Sequence, residues 1–188
     1  MSKGCALINV SLESLNMELK VIHVPLSGAF VVLNDADEAV VVNPGLNLMA
    51  LEDFFKTKPH LNLCWVLLTD AQLKHAARAA EFSQMHGAPV FLHPALLPQL
   101  TFLRAQAQQE NVCFVKVPHV KVSLDAFWKI EVHLFGNAKT TFSVGHFLFV
   151  GDLKQDEIQT VLLQNPQVVT LCKDQGMGLA QNFQNSKK

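Results

Sequence analysis

The side chains of this chain best placed to do chemistry lie in Leu67-Leu68-Thr69-Asp70-Ala71-Gln72-Leu73-Lys74-His75, where a carboxylate, an amide, an ammonium and an imidazole follow one another closely. An apolar run leads into this stretch and an alanine-rich segment leaves it, so the polar groups stand on a turn from a buried strand into a helix. That is where a catalytic metal cluster would sit. A second carboxylate, Asp152, follows the apolar run Phe149-Val150-Gly151. Carboxylate and imidazole are metal ligands, but a catalytic zinc needs three good protein ligands beside an open position. The ammonium of Lys74 opposes such use, because a fixed positive charge repels a dication.

Each of these residues also has a purely structural use. Asp70 is a good N-cap for a helix starting at Ala71. Asp152-Leu153-Lys154-Gln155 has the form of a capping box ahead of Ile158, Val161 and Leu162. His75 falls off the apolar stripe of Leu73, Ala76, Ala77 and Ala80, as a polar histidine at a cleft edge would. Lys74 can neutralise Asp70, one helical turn earlier, or Asp152.

Other chemistries find little support. None of the 8 histidines makes a His-x-His or His-x₃-His pair. Ser143-Val144-Gly145 lacks the first glycine of a nucleophile elbow, and Gly176-Met177-Gly178 precedes a polar tail rather than a phosphate-cradling helix. Cys5, Cys64, Cys113 and Cys172 stand far apart with no Cys-x-x-Cys. They read as reduced thiols acting as small hydrophobes, which makes a cytoplasmic location the default.

The elements that position these groups follow from pattern. Residues 6–10, 19–24, 29–34 and 39–42 are short Val/Ile/Leu-rich strands separated by turn residues, which predicts two antiparallel hairpins. Residues 48–57 carry apolar side chains at the spacing of one helical face. Strand and helix then alternate: strand 63–68, helix 71–85, strand 89–92, helix 95–108, the last with Leu96, Leu97, Leu100 and Leu103 as a core stripe. Strands return at 112–117, 127–134, 140–144 and 146–150, with a helix at 155–163 and a short strand at 168–172. The pattern predicts two sheets packed face to face with helices outside, in one domain over residues 1–179 and a polar tail at 180–188.

Composition sets the limits. The chain has 188 residues, 49% hydrophobic and 16% charged, against a typical charged share of about 25%. A large core and a lightly charged surface follow. The net charge of −1 and the absence of a basic run argue against nucleic acid as a partner. No stretch has the length and apolarity of a signal peptide or membrane span. Low surface charge and open edges make a homodimer plausible.

The order of elements, together with Val41-Val42-Asn43-Pro44-Gly45, the 67–75 stretch, His86-Gly87-Ala88-Pro89-Val90-Phe91-Leu92-His93-Pro94 and Phe149-Val150-Gly151-Asp152, resembles the metallo-β-lactamase-like hydrolase superfamily over roughly residues 29–176. The resemblance implies an α+β fold, a four-layer αβ/βα sandwich with the site along one edge. Its members carry His-x-His-x-Asp-His where this chain has Asp70, Gln72, Lys74 and His75. By the same resemblance Asn137 and Gln175 fall where two further histidines belong, and Asp152 is the retained bridging acid. Gln72, Lys74, Asn137 and Gln175 are thus degenerate ligand positions.

Two functions follow from this resemblance. In one, the dinuclear site and its hydrolytic activity are lost, no cofactor is held, and the cleft serves a small molecule or a protein. In the other, a single Zn, Mn or Fe ion on Asp70, His75 and Asp152 supports hydrolysis of an ester, thioester or phosphoester, with Asp152 as the catalytic residue that orients the attacking metal-bound water.

Overall fold

The computed structural model describes residues 7–12, 17–113, 115–124, 128, 130–135, 139–165, 167–168, 170–173 and 176–179. A first sheet takes its strands in chain order: β1 Leu7–Leu12, β2 Met17–Val24, β3 Ala29–Leu33, β4 Glu38–Val42, β5 Asn62–Leu68, β6 Val90–Leu92 and β7 Val120–Lys121. Strands β1 to β4 pair antiparallel, and β4 to β7 pair parallel. The switch follows from what joins them. Tight turns connect β2 to β3 and β3 to β4, whereas helices α1 Leu48–Lys56, α2 Leu73–Ala76 and α3 Ala79–His86 fill the later crossovers. A second sheet holds β8 Glu131–Phe135, β9 Lys139–Val144, β10 Phe147–Gly151, β11 Thr170–Lys173 and β12 Gly176–Leu179, with α6 Gln155–Gln164 crossing between β10 and β11. Helices α4 Leu97–Leu100 and α5 Leu103–Gln109 complete the elements between β6 and β7.

Strand alternation sorts the side chains into layers. Phe30, Val32, Val40, Val42, Trp65, Leu67 and Phe91 point from the first sheet to Phe142, Val144, Phe147 and Phe149 of the second. Their neighbours Val31, Val41, Val66, Leu68, Val90 and Leu92 point the other way, onto Leu51 and Phe55 of α1, Phe82 of α3 and Leu103 of α5. On the far side of the second sheet, Leu148, Val150 and Leu171 meet Ile158, Val161 and Leu162 of α6. The result is helices, sheet, sheet, helix, the four-layer sandwich expected from the sequence. Phe142, Phe147 and Phe149 are fully buried at its centre, and truncating any one to Ala typically costs about 3–5 kcal/mol.

Several elements differ from expectation. The helix expected over 71–85 is two helices, because the His75 carbonyl accepts from the Gly45 N–H (3.3 Å) and Arg78 leaves the helical conformation. The helix expected over 95–108 breaks into a 3₁₀ turn at Pro94–Leu96, then α4 and α5. Pro98 has no N–H to continue the ladder, and Thr101 Oγ1 donates to the Pro98 carbonyl at 2.6 Å. The described residues of 112–117 form no strand. Val112 and Val115 pack on the helical layer instead, and pairing begins at Val120, after Pro118. Of the strand expected at 127–134, β8 covers Glu131 onward while the described residues 128 and 130 lie outside it, and β12 is not expected from the sequence because its Gly-Met-Gly core carries no alternation. Residues 180–188 lie outside the described set.

Candidate functional site

The parallel pairing of β4 with β5 ends at Val42 opposite Leu67, which sets Asn43 beside Thr69 at one edge of the first sheet. Asn43 sits at φ +52°, a left-handed conformation that Asn tolerates better than most residues. This turns its amide inward. Asn43 Oδ1 accepts from the Thr69 N–H at 3.0 Å, and Asn43 Nδ2 donates to Thr69 Oγ1 at 2.8 Å. The Thr69 carbonyl accepts from both the N–H and the hydroxyl of Thr140 on β9, at 2.7 and 2.8 Å, which ties the second sheet to the first at this edge.

Two glycines let the segments close. Gly45 (φ +79°) comes so near Ser27 that a Cβ would stand 1.8 Å from its carbonyl oxygen. Gly151 (φ +54°) ends β10 against Thr69, where a Cβ would meet Oγ1 at 2.5 Å. The segments at 43–45, 69–75 and 151–152 are therefore held together by buried hydrogen bonds and by positions without a side chain.

On this frame the polar residues form two groups. Asp70 and His75 are buried, 1% and 4% exposed, and Asp70 Oδ1 lies 2.8 Å from His75 Nδ1 while accepting from the Gln72 N–H at 2.9 Å. Asp70 Oδ2 is buried and has no hydrogen-bond partner among the described residues. Outside this pair, Gln72 Nε2 donates to Asp152 Oδ2 at 3.3 Å, and Lys74 Nζ stands 3.5 Å from Asp152 Oδ1. The Asp152 carboxylate is thus gripped by an amide on one oxygen and an ammonium on the other. Lys139 Nζ donates to the Asp152 carbonyl at 2.7 Å and lies 3.8 Å from Glu157.

Three details differ from the sequence reading. His75 is buried rather than placed at a cleft edge, because its imidazole turns back onto Asp70. Asp70 makes an Asx turn to Gln72 and does not cap a helix at Ala71, since α2 begins at Leu73. Asp152 does not cap α6 either. A turn from Val150 to Leu153 intervenes, and the Glu157 carboxylate accepts the Lys154 N–H at 2.6 Å. Asn137 and Gln175 lie outside the described residues. Asn43, Thr69, Thr140 and Lys139 were not singled out for the site. Asn43 before Pro44-Gly45 is the one signal in the sequence, and there it marks only a landmark of the resemblance, with no side-chain role attached.

Cys113 is exposed rather than a buried hydrophobe, and thiolate chemistry is unfavourable at Cys64 and Cys172. Burial pushes the Cys172 thiol well above its usual range, and burial, with the Glu38 charge second, pushes Cys64 up.

A structure of TTHA1623 in a di-iron-bound form superposes with a TM-score of 0.67 at 19% identity, covering 95% of this chain and 98% of that one. The B3 metallo-β-lactamase BLEG-1 follows with a TM-score of 0.62 at 17% identity, covering 94% and 95%. The fold is that of the metallo-β-lactamases. ETHE1 from Myxococcus xanthus is also similar, at a TM-score of 0.54 and 12% identity over 96% of this chain and 82% of that one. No protein-family model matches the sequence, and no curated protein matches it.

The residues at this edge do not suit a dinuclear metal centre. Among the described residues no three His, Cys, Asp or Glu side chains gather where they could hold a metal ion. Gln72 offers only a neutral amide, and Lys74 brings a positive charge to the retained acid. Also among the described residues, no helix is long and apolar enough to cross a membrane.

Proposed function

We propose that this metallo-β-lactamase-fold chain has exchanged its dinuclear metal centre for a lysine–carboxylate pair, has lost metal-dependent hydrolysis, and keeps its cleft for binding a small molecule or a protein. The observation that carries this reading is Lys74 Nζ at 3.5 Å from Asp152 Oδ1, with Gln72 on the other oxygen. A dication about 4 Å from that ammonium is opposed by roughly 2 kcal/mol in bulk water and roughly 8 kcal/mol at the effective dielectric of a protein surface. Amide oxygens contribute too little to offset this. A second reading, a hydrolase with one ion on Asp70, His75 and Asp152, draws on the partnerless Asp70 Oδ2.

Calorimetric titration of Zn²⁺ into the wild-type chain and into Asp70→His/Gln72→His/Lys74→Asp separates them. The first reading expects no stoichiometric binding by the wild type and a gain in the triple variant. Lys74→Asp alone, at an exposed position, should already strengthen binding. Stoichiometric binding by the wild type would overturn the proposal.

A further inference from the structure

Away from this edge, α3, α5 and the segment before β7 line a pocket of about 260 Å³. Ser83 and Gln84 reach it from α3, Arg104 from α5, and Lys116 and His119 from the segment before β7. Among the described residues no acidic side chain lines it. Elsewhere Lys20, Lys56, Lys74, Arg78 and Lys139 each pair with a carboxylate, and Lys58 and Lys121 lie over aromatic rings. Among the described residues Arg104 and Lys116 have neither kind of partner. Two like charges therefore line one concavity with no carboxylate partner among the described residues.

From this geometry we infer that the pocket is an anion site that takes the phosphate group of a small phosphomonoester. The planar Arg104 fork can give two parallel N–H bonds to a phosphate, and Lys116 adds a mobile point charge. Gln84 and His119 supply further polar contacts at the wall, while Val117 and Ala80 leave an apolar surface for an organic group. Ser83 is committed, since its hydroxyl donates to the Ala88 carbonyl at 2.6 Å and fixes the end of α3. The volume, about 260 Å³, lies just below the range of about 300–1,000 Å³ usual for small-molecule sites, which restricts the site to a small ligand. The site owes nothing to Asp152 or Lys74, so it stands whether or not a metal binds at the sheet edge.

The test is a titration of the full ¹⁵N-labelled chain with inorganic phosphate, adenosine monophosphate and acetate, followed by amide chemical shifts. Phosphate and the monophosphate should give saturable shifts confined to residues near 83–84, 104 and 116–119, with acetate weaker. Binding should weaken as salt rises. Arg104→Gln and Lys116→Gln, both at exposed positions, should each weaken phosphate binding about tenfold, the low end for a charged hydrogen bond. The control Lys20→Gln/Lys56→Gln should leave it unchanged. Shifts that do not saturate, or equal loss in the control, would overturn the proposal. Binding of acetate as tight as phosphate would also overturn it, by making the site a general carboxylate or anion patch.

Discussion

Replacing Asn43 tests the frame that holds the site. Asn43→Ala removes the acceptor of the Thr69 N–H, 3.0 Å away, and the donor to Thr69 Oγ1, 2.8 Å away, in a region 4% exposed or less. An orphaned buried N–H costs about 1–3 kcal/mol, and the lost amide–hydroxyl bond about 1 kcal/mol more. Alanine at φ +52° adds about 1–2 kcal/mol of backbone strain. The expected loss is about 3–6 kcal/mol, a fall in melting temperature on the order of 10–15 °C for a domain of this size. Asn43→Gly loses the same hydrogen bonds without the strain and should be the milder variant by about 1 kcal/mol, even after the entropy glycine adds to the unfolded chain. Urea denaturation followed by the fluorescence of Trp65 and Trp128, both buried, measures each. A loss under about 1 kcal/mol for Ala, or a Gly variant no more stable than Ala, would refute the assignment of Asn43 as the clasp.

Other substitutions have equally definite outcomes. Lys74→Ala should change stability by less than about 1 kcal/mol in the same denaturation assay, because its pair with Asp152 is about half exposed; a larger loss would make the pair a structural element. Gly45→Ala should fold poorly or lose more than about 3 kcal/mol by thermal melting, since strain adds to a backbone clash with Ser27, whereas Gly28→Ala, at φ +77° with open space around it, should lose only about 1–2 kcal/mol. Burial lowers the pKa of His86, against a smaller opposing pull from Glu52. Its contribution is present above about pH 6.5, the unfolded value, and is lost as pH falls through the lowered folded value. Stability measured against pH should therefore fall on the acid side, and His86→Phe, which keeps the ring contacts with Phe55 and Phe82, should flatten that slope.

What could be read in advance follows the physics of each element. The strands β3 to β6 are apolar on both faces because each side packs a layer, so they stand out as continuous runs. Helix ends were harder to place. The break between α2 and α3 depends on a carbonyl drawn to Gly45, a residue far away in sequence, and β12 is too rich in glycine to carry a pattern. At the site, the residue types at 70, 72, 74 and 75 were legible because the turn keeps its frame, and Asp152 was one of two partners open to Lys74. The choice between them depended on the burial of Asp70 beside His75, a tertiary fact. The Asn43–Thr69–Thr140 chain of hydrogen bonds joins three segments whose residues look ordinary in isolation.

If Lys74 occupies the place of a metal, the chain carries none. Elemental analysis of the full chain, purified without added metal, measures this most directly. Trace Zn, Mn and Fe, far below one ion per chain, is the predicted result; near-stoichiometric content of any of the three would contradict it.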